Sequence, residues 1–308
     1  MNHGPLVFLG VLATFVTSWW ALIFAPQLQV GSQQTAQTDV GIYPTRRAGV
    51  ALRGHQVYVA NGCVHCHSQQ VQQDGYTFDV VLTAAGTNAA GVARIIEQLA
   101  HDINAKEMLA NASDKSPQPI LKNVAQSVAD DAQKRLKKAG ATAQVVFIPL
   151  GPDMARHWGA RRTVAADYLY DAPVQVGNSR LGPDLSNYGD RALSVETILA
   201  HLYDARITTP GSLMPAYRYL FETRPVGKKR SSQALKLPDQ FAPKDREVIP
   251  TEEALHLAAY LQSLRSDTAL FEAPMTQLAP SPAPAGTNAP GATNTPAATN
   301  ASANAPKP

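Results

Sequence analysis

The N-terminal segment constrains the architecture of this chain most strongly, because it is a long apolar run. "PLVFLGVLATFVTSWWALIFA", Pro5–Ala25, contains no charged residue and is about as long as a helix that crosses a bilayer core. A cleaved signal peptide would have a basic start and a shorter apolar stretch, and Pro26 follows directly at a position that disfavours cleavage. Trp19 and Trp20 suit a helix that reaches the membrane interface. We therefore predict one retained transmembrane anchor.

Composition limits the remaining possibilities. The chain has 308 residues, enough for two modest domains. Its formal net charge of +3 is too small to suggest a nucleic-acid partner. Two cysteines are too few for a disulfide framework.

Changes of pattern along the chain divide it into five parts. Helical segments with capping signals lie near residues 45–62, 194–206 and 251–268. Between the first two, a β-α-α-β-α-β pattern forms a self-contained α+β unit. The C-terminal stretch is rich in Pro, Ala, Thr and Asn and cannot bury a core. The predicted parts are an anchor (1–28), a linker (29–44), an all-α domain (45–75 and 150–268), an α+β insert (76–149) and a disordered tail (269–308).

The stretch "NGCVHCHSQQ" contains both cysteines and allows four interpretations. A disulfide between Cys63 and Cys66 would close only a tiny loop and add little stability. A redox dithiol normally follows a strand, whereas this motif follows a predicted helix. A structural zinc site could use Cys63, Cys66 and His67 with a fourth ligand elsewhere, but zinc ligands usually come as two spaced pairs and the sequence has no second Cys-x-x-Cys. The pattern Cys-x-x-Cys-His instead matches covalent attachment of one haem c, with His67 as the proximal iron ligand and His65 in a free position.

A haem of this type needs a second axial ligand farther along the chain. The methionine candidates are Met108, Met154, Met214 and Met275. We favour Met214 in "SLMPAY", because single-haem cytochrome c domains carry their methionine ligand in such a loop; an ordinary loop hydrophobe is the alternative. His157, His201 and His256 are expected to be structural.

The segment Gly182-Pro183-Asp184-Leu185 resembles a segment of cytochrome c domains. In that family the proline carbonyl accepts a hydrogen bond from the proximal histidine, and by resemblance Pro183 would orient His67. A plain turn is the alternative, since Gly-Pro is a common breaker.

Several blocks together resemble the membrane-anchored mono-haem cytochrome c subunit of cbb3-type cytochrome c oxidases. They are the N-terminal run, "GCVHCHSQQV", "YDAP…GNSRLGPDLSNYG", "HLYDAR…SLMPAYRYLFE" and "IPTEEALHLAAYLQSL". The resemblance covers residues 1–75 and about 155–268. It departs at Val176-Gly177-Asn178-Ser179, where Trp-Gly-Ser-Lys is usual, so any interface or calcium contact made there stays open.

This resemblance implies an electron-transfer subunit with no catalytic residue of its own. One covalent haem c would accept electrons from a donor cytochrome c and pass them to the haem–copper catalytic subunit, beside other oxidase subunits. Because haem c is attached outside the cytoplasm, the haem domain would lie in the periplasm of a bacterial inner membrane. The alternatives are the cytochrome c subunit of a nitric oxide reductase and, in another class, a periplasmic zinc-bound interaction protein.

The insert resembles a different family, the C-terminal domain of the bacterial ribosomal stalk protein. "FDVVLTAAGTNAAGVARIIEQL" and "DAQKRLKKAGATAQVV" carry this resemblance. Where the family's factor-binding helix has lysine and glycines, this chain has Ala89, Gln98 and His101, and only Arg94 keeps a basic charge. Translation-factor binding is therefore not expected. The insert is either a docking or spacer module or a tolerated insertion without a role.

Overall fold

The computed structural model starts, near the N-terminus of the chain, with one continuous helix. The structure describes residues 3–39, 41–101, 103–113, 115–191 and 193–277. The helix consists of α1 (Gly4–Trp19), a π-helical turn (Trp20–Phe24) and α2 (Ala25–Gly31). Its segment Gly4–Gln29 has a mean hydropathy of 2.1 and none of it is buried in protein. By length and composition this helix is a candidate membrane span.

A short hairpin connects this helix to the first helix of the haem-motif region. Strands β1 (Ala36–Thr38) and β2 (Gly41–Tyr43) pair antiparallel. Helix α3 (Gly49–Ala60) follows, and Gly62 with φ +63° reverses the chain into a 3₁₀ turn at Cys63–His65. A left-handed residue at this position favours glycine.

The insert forms a small α+β unit with its own core. Its elements are β3 (Gly75–Ala84), α4 (Ala89–Leu99), α5 (Ala105–Asn111), β4 (Gln118–Val124), α6 (Gln126–Lys138) and β5 (Thr142–Leu150). The antiparallel sheet has the order β4-β3-β5. Val80 and Leu82 of the sheet pack against Val92, Ile96 and Leu136 of the helices. Helix α6 has Ala125 as its N-cap.

The remaining elements build the second core. They are α7 (Pro152–Ala155), α8 (Val195–Tyr203), β6 (Phe221–Pro225), β7 (Arg246–Pro250) and α9 (Glu252–Ser263). Ser194 caps α8 and Thr251 caps α9, as expected from the sequence. Helices α3 and α9 cross at Gly54, where an added Cβ would lie 2.6 Å from the carbonyl carbon of His256. The glycine inside α3 therefore permits a close approach of two backbones.

The expectation of an all-α domain around the motif is wrong, because β6 and β7 form an antiparallel hairpin. Each strand has only five residues and ends in proline, and Glu247, Val248 and Ile249 are all buried. A strand this short with no alternation of burial gives no periodic sequence signal. The described part of the chain is a mixture of helices and small sheets.

The folded region also extends past residue 269, where the tail was expected to begin. Leu270 and Ala273 form a bridge, and Ala273 is fully buried in a cluster with Val164 and Ala166. Residues 278–308 of the predicted tail lie outside the described residues.

Candidate functional site

His67 is held in one orientation by the segment that contains Pro183. The His67 Nδ1 atom lies 2.8 Å from the carbonyl oxygen of Pro183. Because a carbonyl oxygen can only accept, Nδ1 carries the proton and Nε2 keeps its lone pair. Burial lowers the pKa of His67, while the Pro183 bond opposes that shift. The result is a neutral imidazole whose Nε2 atom is available as a metal ligand.

Gly182 gives the imidazole its space. A Cβ added at this position would lie 2.7 Å from Nδ1 of His67, closer than real side chains approach. The amide of Gly182 also donates to the carbonyl oxygen of Cys66, at 2.9 Å. Residues 182–183 therefore pack directly against the motif, and their two hydrogen bonds fix the position of the His67 ring relative to this segment.

His67, Cys63, Cys66, Pro183 and Met214 all line one cavity of about 480 Å³. This volume lies in the range of small-molecule and cofactor pockets. The remaining walls are mainly apolar and include Tyr58, Leu185, Ile198, Leu202, Leu257 and Leu261. Adjacent thiols, a neutral imidazole and a thioether sulfur on apolar walls fit a covalently attached haem.

The state of the cysteines argues against two of the four interpretations of the motif. Neither cysteine is in a disulfide, and burial raises the pKa of the Cys63 thiol to about 11. A reactive dithiol needs a thiolate with a lowered pKa.

A zinc site needs a group of ligands close together. Over the described ranges, no group of three or more His, Cys, Asp or Glu residues could hold a metal ion. The zinc interpretation therefore finds no complete ligand set in that part of the chain.

The residues that follow His67, here called the strap, are hydrogen-bonded to segments distant in sequence, and each of four backbone amides has a different partner. The strap comprises residues 68–72. Its N–H groups donate from Gln69 to Val176 O (2.8 Å), from Gln70 to Asp184 Oδ2 (2.7 Å), from Val71 to Thr163 Oγ1 (2.8 Å) and from Gln72 to Asp153 Oδ2 (2.8 Å). These bonds hold the chain that leaves the motif in an extended path.

Arg180 joins the strap to the exit of the insert. Its guanidinium donates to both carboxylate oxygens of Asp153 at 2.8 Å, to Ser68 Oγ at 3.0 Å and to the Gln70 carbonyl oxygen. Asp153 is fully buried, and leaving a buried charge without its partner costs about 3–5 kcal/mol. Neither residue was singled out from the sequence, since their contacts span long stretches of chain.

Residues 176–179, where the sequence departs from the resembling family, pack against the motif. Gly177 has φ +78°, and a Cβ there would lie 2.8 Å from the Cα of Ser68. Ser179 Oγ donates to the carbonyl oxygen of His65. This segment therefore still packs against the motif without the usual tryptophan and lysine.

The other predicted candidates lie elsewhere. Met108 is buried in the core of the insert, and neither Met154 nor Met275 is among the described residues that line the cavity. His65 is exposed, in agreement with a free position.

His201, which the sequence suggested was only structural, lines the cavity together with Ile198 and Leu202 of α8. Its Nδ1 atom is hydrogen-bonded to Thr208 Oγ1, and burial, followed by repulsion from His67, lowers its pKa. The spacing of residues 198, 201 and 202 on one helix face is the sequence signal that could have identified it.

A family model described as "Cytochrome C oxidase, mono-heme subunit/FixO" matches residues 142–243, about a third of the chain. The matched range contains Pro183 and Met214. It begins after the Cys63–His67 motif and ends before α9. The match therefore shows a similarity to this subunit family in the part of the chain that contains Pro183 and Met214, and it does not depend on the Cys63–His67 motif.

Curated relatives of a second kind are ribosomal proteins. A segment is 38% identical over 68 residues to the large ribosomal subunit protein bL12 of Mycobacterium tuberculosis H37Rv, covering 22% of this chain and 52% of that protein. The bL12 protein of Mycobacterium leprae is 30% identical over 89 residues, covering 29% of this chain and 68% of the relative. The chain thus spans about half the length of most of these relatives. A match of 68 residues is close to the length of the insert.

Proposed function

We propose that this chain is the electron-transfer subunit of a cbb3-type cytochrome c oxidase, and that its insert is a segment belonging to the bL12 sequence family. One observation carries the proposal. A single cavity brings together Cys63, Cys66, His67 and Met214, although more than a hundred residues separate the motif from the methionine. The FixO match over residues 142–243 supports the oxidase assignment.

Each residue of the cavity has a distinct task in this proposal. Cys63 and Cys66 would hold the porphyrin through thioether links to its vinyl groups, and His67 Nε2 and Met214 Sδ would be the iron ligands. When bound, haem c supplies reversible one-electron exchange. The Pro183 carbonyl holds His67 in the correct tautomer. A thioether ligand stabilises ferrous iron, and the apolar walls exclude water, so both raise the reduction potential.

The chain passes on electrons and leaves oxygen reduction to another subunit. The proposed partners are a donor cytochrome c, the haem–copper catalytic subunit and the other membrane subunits of the oxidase. The helix Gly4–Gln29 is proposed as a single pass through the bacterial inner membrane, with the haem domain in the periplasm. This arrangement follows from the extracytoplasmic attachment of haem c.

The test is the absorption spectrum of the full chain, produced with a haem c maturation system. We expect the α-band of a reduced low-spin haem c and haem stain that stays with the polypeptide on a denaturing gel. His67→Ala should abolish the low-spin spectrum, and Cys63→Ser combined with Cys66→Ser should abolish the covalent stain. His65→Ala is the matched control, because His65 is exposed. Absence of haem from the unmodified chain would refute the proposal.

A second measurement separates the oxidase from its nearest alternative. Co-purification with a catalytic subunit, followed by turnover with oxygen or nitric oxide, distinguishes an oxidase from a nitric oxide reductase. We expect oxygen consumption. Metal analysis of the same sample should give iron and not zinc.

A further inference from the structure

The loop that presents Met214 contacts the second core through Ile207, Met214 and Tyr217, but its tip beside the methionine is exposed. It connects the end of α8 at Tyr203 to the start of β6 at Phe221. Leu213, the neighbour of Met214, is 96% exposed. The position of the methionine therefore depends on how the two ends of the loop are fixed.

Both ends of this loop converge on one carboxylate. Asp204 is fully buried and accepts from Arg206 at 2.7 Å (Nε) and 2.6 Å (Nη2). It also accepts from Arg218 Nη2 at 2.9 Å. Arg206 precedes Met214 and Arg218 follows it, so a single side chain ties the loop on either side of the methionine.

Two further contacts reinforce this tie. The guanidinium of Arg218 lies over the ring of Tyr203, 5.3 Å from its centroid. The amide of Tyr217 donates to the carbonyl oxygen of Leu202 at 3.0 Å. The C-terminal end of the loop is therefore anchored to the last turn of α8, the helix that lines the cavity with Ile198 and Leu202.

We propose that Asp204 is a positioning residue, which holds Met214 as the axial ligand by clamping Arg206 and Arg218 at the two ends of the loop. This inference rests on the proposed function. The arginines are more than half exposed, so solvent screens the charge attraction, and the directed hydrogen bonds to a buried acceptor provide most of the effect. A thioether is a weak ligand, and its bond to iron depends on a loop held in one conformation.

The test compares Asp204→Ala and Asp204→Asn with the unmodified full chain. We expect both variants to keep covalent haem. Asp204→Ala should lose the methionine–iron charge-transfer band of the ferric state, gain carbon monoxide binding in the ferrous state and shift to a lower midpoint potential. Asp204→Asn should lie between Asp204→Ala and the unmodified chain. Met214→Ala provides the reference for complete loss of the ligand.

Glu247→Gln is the matched control. Glu247 is also a buried carboxylate bonded to an arginine, Arg224 Nε at 2.9 Å, but it lies in the β6–β7 hairpin away from the Met214 loop. It should keep the charge-transfer band and exclude carbon monoxide. If Asp204→Ala does not fold, Arg206→Gln and Arg218→Gln each remove one exposed tie and should produce partial carbon monoxide binding.

The outcomes separate the two proposals. The role of Asp204 alone would be overturned if Asp204→Ala, or both arginine variants, kept the charge-transfer band and the midpoint potential of the unmodified chain and did not bind carbon monoxide. An unmodified chain without any low-spin haem c spectrum would overturn the proposed function and this inference together.

Discussion

At the scale of single residues, the state of one imidazole depends on the contacts of a glycine and a proline. The carbonyl oxygen of Pro183 accepts a hydrogen bond from His67 Nδ1, and this bond leaves Nε2 free. Gly182 permits it, because any larger side chain would enter the space of the ring. The orientation of His67, and with it the availability of Nε2 for the proposed iron ligation, therefore depends on segment 182–183 and not only on the Cys-x-x-Cys-His motif.

Gly182→Ala tests this dependence. The added Cβ would lie 2.7 Å from Nδ1 and should push the ring away from the Pro183 carbonyl oxygen. We expect covalent haem in reduced amount, with loss of part of the low-spin absorption spectrum. Gly75→Ala is the control, since nothing lies within 4 Å of its added Cβ. Equal spectra for the two variants would contradict the role assigned to Gly182.

How far the sequence predicted this site depends on the range of each contact. Attachment to a porphyrin requires fixed spacing, so local sequence was enough to predict Cys63, Cys66 and His67 as the attachment residues, and that assignment stays a prediction. Pro183 and Met214 could be proposed from resemblance. Arg180 and Asp204 could not, because their roles arise only when segments distant in sequence meet, and local patterns contain no information about such contacts.

At the scale of elements, the crossing of α3 and α9 positions the motif that follows α3. Gly54→Ala should separate the helices, because the new Cβ meets the backbone of His256, which cannot rotate away. Overpacking of this kind costs about 1–3 kcal/mol. Thermal unfolding of the full chain in detergent should show a lower midpoint. Gly49→Ala in the same helix, with nothing within 4 Å of its Cβ, should show no decrease, because alanine favours a helix more than glycine does. A decrease of similar size in this control would show that the effect does not come from the helix crossing.

The β6–β7 hairpin has a stability that should depend on pH through Glu247. The amide of Ser231 (2.7 Å) and the guanidinium of Arg224 (2.9 Å) donate to this carboxylate and lower its pKa in the folded protein. A carboxyl group with a lowered folded pKa stabilises the fold above its unfolded pKa of about 4. This contribution is lost as the pH falls through the folded pKa.

Glu247→Gln should therefore lower the unfolding midpoint at pH 7 and have less effect as the pH drops below about 4. The comparison with the unmodified chain at each pH removes effects of acid on the rest of the protein. A difference in midpoint that is the same at pH 7 and in acid would show that the ionised form of Glu247 makes no special contribution.

At the scale of the whole molecule, the insert is attached as a closed unit. Gly75 and Leu150 are paired at the open end of the β3–β5 ladder, and Asp74 donates to the Leu150 carbonyl oxygen at 2.9 Å. The insert has its own buried core. Closing a loop across adjacent ends costs little additional entropy. This geometry explains why a domain can follow so closely after His67 without separating the motif from Pro183 and Met214.

Replacement of residues 76–149 by a short Gly–Ser linker should leave the haem site intact. Directly opposed residues of an antiparallel ladder lie about 4.5–5.5 Å apart, so a short linker can join Gly75 to Leu150. Asp153, Arg180 and the strap 68–72 all lie outside the deleted range, so their bonds should survive. We expect the spectrum and midpoint potential of the unmodified chain, measured on the purified variant. A variant without haem would contradict the independence of the two cores.

The same variant decides between the two roles considered for the insert. A docking module predicts that the variant carries haem but no longer co-purifies with the catalytic subunit, whereas an insertion without a role predicts normal assembly and oxygen consumption. Ile96→Asp, which places a charge in the insert core where Ile96 is fully buried, should reproduce the assembly defect if the folded surface is what binds. If both variants co-purify with the catalytic subunit as well as the unmodified chain does, docking by the insert is excluded, because the complex would then form without the folded insert.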